Sequence, residues 1–340
     1  MLLVSIIGYT IATAATSVAP NMAAFAGCQF AARLFLATEI SLTWTVLAEE
    51  LPAGARGFGC GFLATLDILG AGFGSLLYGV VLAPLGISWR WLYAAAVPVL
   101  VVVVWLRRRL PESSRYIDLA QRQAWSRWSA ITRPPHRRNL VLVCAMAFLV
   151  NLTTQAQVFI IDFFESQRHL STSSANLTLV ASGALAIPVL GIAGSLSDRL
   201  GRKVVGCGFL SVGVTGIYLL FFFARGAPEL FGALALVYVG TFGAWPALGA
   251  YGSEMFPTSL RAFGNSSAGA AKVMGQCTGF VAGGVLIAGT SSLPRAVGFL
   301  ALGPLLAIPL VTLLFPETSG RDVDSVAALA ESIVPGTVLP

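Results

Sequence analysis

Four ionisable residues lie inside long apolar runs of the sequence: Arg33, Glu39, Asp67 and Lys272. A charge in such surroundings is costly, so these residues are hypotheses for a substrate or proton path. Protonation of Glu39 would neutralise a buried charge, which is the chemistry of a proton-coupling site. A structural carboxylate paired with another helix is the alternative. Arg33 and Glu39 lie six residues apart, about 240° around a helix, so each needs a partner elsewhere.

Polar and aromatic side chains accompany these charges. Asn151 and Gln155 lie four residues apart and share a helical face, as do Lys272 and Gln276. Such faces could hydrogen-bond a polar solute, or bond one helix to another. Trp245 precedes a proline that can kink its helix, and its ring could stack on a solute or only fill the packing.

Asp67 and Lys272 each share a helical face with two glycines. Gly70 and Gly74 follow Asp67. Gly275 and Gly279 follow Lys272 at the same spacing. A face with two glycines four residues apart usually packs closely against another helix. The two charges therefore point either into the solute path or into a helix contact.

Acidic and basic residues also gather where apolar runs end. Opposite charges at helix ends can latch one mouth of a membrane protein and must separate when it opens, which makes a gate. A static anchor with pairing of charges to helix ends is the alternative. The candidate gate residues are Glu49, Arg56, Glu112, Asp198, Arg199, Arg202, Glu254, Arg261 and Glu317.

The elements that position these residues follow from composition. Of the 340 residues, 56% are hydrophobic and 11% are charged, against about 25% charged in an average soluble domain. This balance excludes a soluble enzyme, a disordered chain and a secreted disulfide scaffold. A spanning helix needs about 20 mostly apolar residues. The predicted spans are 2–18, 22–47, 58–83, 89–106, 140–162, 174–195, 204–224, 229–250, 263–289 and 295–315.

The basic residues predict the orientation of these spans. With the loop 107–139 placed inside, 15 of the 21 Lys and Arg residues fall on the same side. The positive-inside rule makes that side cytoplasmic. With an even number of spans, both termini of this chain are then expected in the cytoplasm, and the membrane is expected to be the plasma (inner) membrane.

An internal repeat is visible at an offset of 205 residues. The pattern ExxPxxxR starts at Glu49 and again at Glu254, and PES at Pro111 matches PET at Pro316. The chain is therefore expected to be a duplicated helix bundle with a parallel repeat. The second copy holds six predicted spans and the first copy four. The repeat thus predicts two further helices before Met1, roughly 65–70 residues with their loop.

Other functional classes lack their signatures. GxxxxGK[ST] is absent, so ATP does not drive the chain directly, and GxSxG is absent. Five cysteines without a CxxC pair, and two histidines, suggest no disulfide framework and no metal. No cofactor is expected. The basic residues sit in short gaps between apolar runs, which argues against nucleic acid as a partner and for the lipid bilayer.

Five segments carry a resemblance to a known family. They are GSLSDRLGRK (194–203), AEELPAGARG (48–57), YGSEMFPTSLRA (251–262), PESSRY (111–116) and PETSGR (316–321). The set resembles the major facilitator superfamily, in its sugar-porter and organic-ion branch. The resemblance covers nearly the whole chain, as helices three to twelve of a twelve-helix family.

The resemblance implies an all-α, two-bundle membrane fold and secondary active transport of a small solute by alternating access. Proton-coupled import is the favoured mode. A drug–proton antiporter, and a non-transporting truncated relative or membrane sensor, are the alternatives. Solute and protons are the expected partners, and a monomer is favoured. The expected regions are a truncated first bundle (1–106), a cytoplasmic linker (107–139), a six-helix bundle (140–316) and a cytoplasmic tail (317–340).

Overall fold

The computed structural model describes residues 2–50, 66, 69–107, 136–154, 158–256, 260–290 and 292–318. Within these ranges the regular structure is helical and no strand occurs. A bilayer offers no partner for open backbone N–H and C=O groups, so a chain this apolar satisfies them within helices. The all-α fold predicted from the sequence is confirmed.

The described helices are numbered in chain order. In the first part of the chain they are α1 (Leu2–Ser17), α2 (Met22–Glu50), α3 (Leu69–Leu82) and α4 (Arg90–Arg107). The remaining helices are α5 (His136–Asn151), α6 (Phe159–Asp162), α7 (Thr172–Leu200), α8 (Arg202–Tyr218), α9 (Ala227–Glu254), α10 (Arg261–Thr290), α11 (Leu293–Leu300) and α12 (Leu302–Leu314).

Five helical segments of the described chain are long and apolar enough to cross a membrane. They are Thr172–Leu200, Arg202–Phe223, Ala227–Gly252, Phe263–Thr290 and Leu293–Leu314, the last formed by α11 and α12 together. Shorter apolar helices cover parts of the first four predicted spans, at Leu3–Ser17, Met22–Leu36, Leu69–Leu82 and Arg90–Leu106.

The predicted continuous span over 140–162 is interrupted. Helix α5 ends at Asn151, Leu152 and Thr153 form a turn, and the next described helix, α6, begins at Phe159. At the break, Nδ2 of Asn151 donates to the carbonyl of Ala147 (2.8 Å), and Oγ1 of Thr154 donates to Oδ1 of Asn151 (3.3 Å). Short polar side chains that bond nearby polar groups compete with the helical ladder, which explains the stop inside an apolar run.

The chain divides into two compact units. The first unit is Met1–Gln123 with Thr172–Leu177, and the second is Ala124–Ser171 with Thr178–Pro340. In the first unit α1 packs on α2 and α4. A Cβ on Gly8 would meet the ring of Phe35 at 2.5 Å, so the glycine lets α1 approach α2 closely.

In the second unit, glycines set the closest helix contacts. α8 packs along α9, and α5 lies between α10 and α12. A Cβ on Gly275 would collide with the backbone carbonyl of Phe148, and one on Gly279 with that of Leu152. The glycine face predicted on this span therefore packs directly on α5, as such faces do in membranes.

This contact makes a stability prediction with an internal control. Gly279→Val should lower the stability of the folded chain by about 1–3 kcal/mol, because a side chain there forces α10 away from α5. Gly284→Val adds the same side chain to the same helix at a position with nothing within 4 Å of the added Cβ. Thermal unfolding in detergent should show a lower Tm for the first variant only; equal values would contradict the close contact.

Candidate functional site

A group of polar and aromatic side chains lies in the middle part of the second unit. Nζ of Lys272, on α10, lies 4.4 Å from the ring centroid of Trp245 on α9. One turn along α10, Nε2 of Gln276 donates to Oδ1 of Asn151 at the end of α5 (3.4 Å). Asn151 is buried, and the other three side chains are half-buried. We call Asn151, Trp245, Lys272 and Gln276 the central group.

The close α5–α10 contact brings this group together. Gly275 and Gly279 bring the backbone of α10 onto Phe148 and Leu152, and Gln276 thereby comes within reach of Asn151. The end of α5 at Asn151 also contributes, because it places a polar side chain within hydrogen-bond reach of α10. The interhelical hydrogen bond thus occurs, and the same four residues also present a cation, amides and an aromatic face.

An aromatic row leads along α9 to Trp245, and sequence reasoning missed it. Tyr238 and Phe242 stack with ring centroids 5.9 Å apart, and Phe242 meets Trp245 edge to face, also at 5.9 Å. These residues lie at positions i, i+4 and i+7. That spacing is the signal that was available, since it places all three rings on one helical face.

The charged residues of the first unit are less closely associated. Arg33 is exposed. Glu39 is half-buried on the same helix, and no ion pair joins it to Arg33, in agreement with their 240° separation. Asp67 and Gln155 lie outside the described residues.

A second group lies at helix ends in the second unit, and Arg202 is its centre. The guanidinium contacts Asp198 (2.8 Å) and Glu254 (3.0 Å), and it also donates to Oγ of Ser197 (2.8 Å). Glu254 further accepts a short hydrogen bond from the hydroxyl of Thr318. Arg202 thereby ties the ends of α7 and α9 to the start of α8. We call Asp198, Arg202, Glu254 and Glu317 the helix-end cluster.

Glu317 joins this cluster through the backbone. Its carboxylate accepts from the N–H groups of Arg202 (2.8 Å) and Lys203 (3.1 Å), the first residues of α8. The N-terminus of a helix carries unpaired N–H groups and partial positive charge, so it suits a carboxylate. Gly201 has φ = 103°, and a Cβ there would lie 2.7 Å from the Glu317 carboxylate. Only glycine fits both demands.

The motif GSLSDRLGRK is therefore less of a loop than the sequence predicted. Asp198 and Arg199 belong to the last turn of α7, Gly201 alone makes the connection, and Arg202 starts α8. Arg199 is exposed. The side chains of Glu49 and Arg261, and Arg56 and Glu112 altogether, lie outside what the structure describes.

Ser197 and Thr318 bond to members of the helix-end cluster without having been predicted. The sequence contained an indication of both, since Ser197 directly precedes Asp198 and Thr318 directly follows Glu317. Tyr251 is completely buried beside the cluster, its ring centroid 4.9 Å from that of Phe315. Its hydroxyl has no hydrogen-bond partner among the described residues.

The bonds of Glu317 predict an unequal effect of two similar substitutions. Glu317→Gln should destabilise the chain by about 1–3 kcal/mol, because an amide cannot accept both backbone N–H groups. Asp198→Asn should cost less than about 1 kcal/mol, because that carboxylate is 67% exposed in its ion pair. Thermal unfolding of both variants measures the difference, and a larger effect at Asp198 would contradict this account.

Tyr251 offers a second matched comparison. Tyr251→Phe should leave stability unchanged or raise it, because it removes a buried hydroxyl that has no partner in the described chain. Tyr218→Phe should lower stability by about 1 kcal/mol, because the Tyr218 hydroxyl donates to the carbonyl of Gly298 (3.1 Å). A loss of Tm in the first variant as large as in the second would show that Tyr251 is bonded.

Comparisons with known proteins place this fold. A curated relative, the probable 4-methylmuconolactone transporter of Cupriavidus pinatubonensis, is 24% identical over 293 residues, which cover 83% of this chain and 66% of that protein. The putative niacin/nicotinamide transporter NiaP of Bacillus subtilis is 21% identical over 324 residues, covering 95% of this chain and 80% of that protein. The chain thus spans just under two thirds of the first relative.

Solved structures agree with these relatives. The proton:xylose symporter XylE bound to 6-bromo-6-deoxy-D-glucose aligns with a TM-score of 0.72 and 15% identity, over 97% of this chain and 82% of that one. The inward-open structure of XylE from E. coli aligns with a TM-score of 0.70, 18% identity and coverage of 96% and 82%.

The family model described as Major Facilitator Superfamily matches residues 1–222 and 143–331. These two segments together span nearly the whole chain, and the relatives named above are transporters, not enzymes. The chain belongs to the major facilitator superfamily, an integral membrane protein with the fold of secondary transporters of small solutes.

Proposed function

We propose that this chain carries a small organic carboxylate across the membrane by alternating access, with inward movement of protons. Membership of the superfamily supports secondary transport of a small solute. The finer statements concern the solute, its coupling and its direction.

The observation that carries the solute class is the cation of the central group. Lys272 holds a cationic side chain in a segment long and apolar enough to span a membrane, and its ammonium lies over the Trp245 ring. A cation at such a depth is retained where a solute or ion path needs it. An ammonium binds a carboxylate through charge-assisted hydrogen bonds, and Asn151 and Gln276 add amide donors beside it.

The names of the relatives point to the same class. The two curated relatives are named for transport of 4-methylmuconolactone and of niacin or nicotinamide. Niacin and 4-methylmuconolactone are both small carboxylic acids. A sugar lacks that charge and would gain no charge-assisted hydrogen bond from the Lys272 ammonium, so the carboxylate class fits the central group better than the xylose of XylE does.

Proton coupling is proposed to run through Glu39. The carboxyl group is half-buried within α2, where a carboxyl can take up and release a proton as its surroundings change. XylE is a proton symporter, which supports import driven by the proton gradient. Arg33 and Asp67 remain candidates for the same path.

The helix-end cluster is proposed to serve the cytoplasmic mouth. Its four members join helices within the second unit, so they brace these helix ends directly. Gating would follow if Glu49, Arg56 and Glu112, the matching positions of the first repeat, with Arg199 and Arg261, exchange partners as the mouth opens. The proposal places both termini and this cluster in the cytoplasm of a monomer in the inner membrane, as the distribution of basic residues favours.

Proteoliposomes test the coupling. The purified chain is reconstituted with a pH-sensitive dye inside, and benzoate or nicotinate is added outside. Solute-dependent acidification faster than in protein-free liposomes is expected for the unaltered chain. Glu39→Gln should reduce this proton flux at least tenfold, because an amide cannot carry the proton, while exchange of labelled solute for unlabelled solute persists. Asp162→Asn, at an exposed carboxylate, should leave both readouts unchanged.

Each alternative has its own result in this experiment. Solute expelled by an inward proton gradient would favour the antiporter. Proton flux that persists in Glu39→Gln would contradict the role of that residue. No solute movement from correctly inserted protein would contradict transport and favour the non-transporting reading.

A further inference from the structure

The indole ring of Trp245 is in contact with a cationic side chain. The Lys272 ammonium lies 4.4 Å from the ring centroid, and the edge-to-face contact with Phe242 holds the indole in place from the same helix. The attraction between a cation and an aromatic face strengthens when both are removed from water. The pair gives Lys272 a favourable position in the absence of solute.

The ammonium can leave this position without any movement of a helix. Lysine carries its charge on a flexible four-carbon stem with rotatable donors, whereas the indole is fixed by the aromatic row on α9. A carboxylate near the central group would draw the ammonium toward itself, because a charge-assisted hydrogen bond is stronger than contact with a ring face. The indole face would then be exposed to whatever the carboxylate is attached to.

We infer that Trp245 determines specificity by serving Lys272 and the solute in turn: the ammonium covers the indole before binding, and a flat ring attached to the carboxylate takes its place. This inference rests on the proposed function and adds a selection rule to it. Flat rings stack on an indole face better than puckered saturated rings of the same size, because aromatic pairs gain beyond the area they bury. The chain should therefore prefer aromatic to saturated ring carboxylates.

A purely structural Trp245–Lys272 contact makes a different prediction. If the pair only joined α9 to α10, substitutions would change stability and would affect all solutes alike. A preference between two acids that differ only in ring flatness, and that depends on Trp245, is a readout that packing alone does not move.

Benzoate and cyclohexanecarboxylate are suitable probes, since both join a carboxylate to a six-membered ring. Their affinities for the purified chain are measured by calorimetry in detergent. We expect benzoate to bind roughly tenfold more tightly. Trp245→Leu should bring the ratio close to one, and Trp245→Phe should restore most of it. Lys272→Gln should weaken both acids by a similar factor and leave the ratio in place.

The outcomes separate the inference from the function beneath it. Equal binding of the two acids by the unaltered chain, or an unchanged ratio in Trp245→Leu, would overturn the role of Trp245 and leave carboxylate transport standing. Binding of neither acid would overturn both. If Trp245→Leu does not fold, the ratio in the unaltered chain and in Trp245→Phe still decides, because a ratio near one contradicts the inference.

Discussion

The structure depends on one constraint: the hydrocarbon core of a bilayer offers no partner for a backbone N–H or C=O group. The regular structure of the described residues is therefore helical, and little hydrophobic force remains to hold those helices to one another. Packing contacts and a few polar bonds must do so instead. This explains why the contacts that hold the helices together involve glycines on helix faces and charged residues within apolar segments or at helix ends.

The glycines of α10 illustrate how packing positions a site. Gly275 and Gly279 remove the side chains that would separate α10 from α5. Because these two positions lack side chains, Gln276 reaches Asn151, and Lys272 lies beside Trp245 of α9. The same residues thus join α10 to α5 and place polar side chains together, so helix packing and solute binding are compatible roles for them.

The helix-end cluster shows the complementary principle, in which charge organises backbone. Glu317 supplies acceptors for two unpaired N–H groups at the start of α8, and Gly201 makes room for it at a φ that other residues rarely adopt. Arg202 then connects three helices through side-chain bonds.

The sequence by itself determined the membrane class, the helical fold and the superfamily, because apolar run length, spacing of charges and the repeated motifs are local properties of the chain. It also singled out Lys272, Trp245, Asn151 and Gln276 one by one. Only the tertiary structure decided that these four meet, since they lie on three different helices and their contacts depend on how closely α10 approaches α5. The end of α5 at Asn151 follows from local hydrogen bonds of that side chain, which a run of apolar residues does not specify.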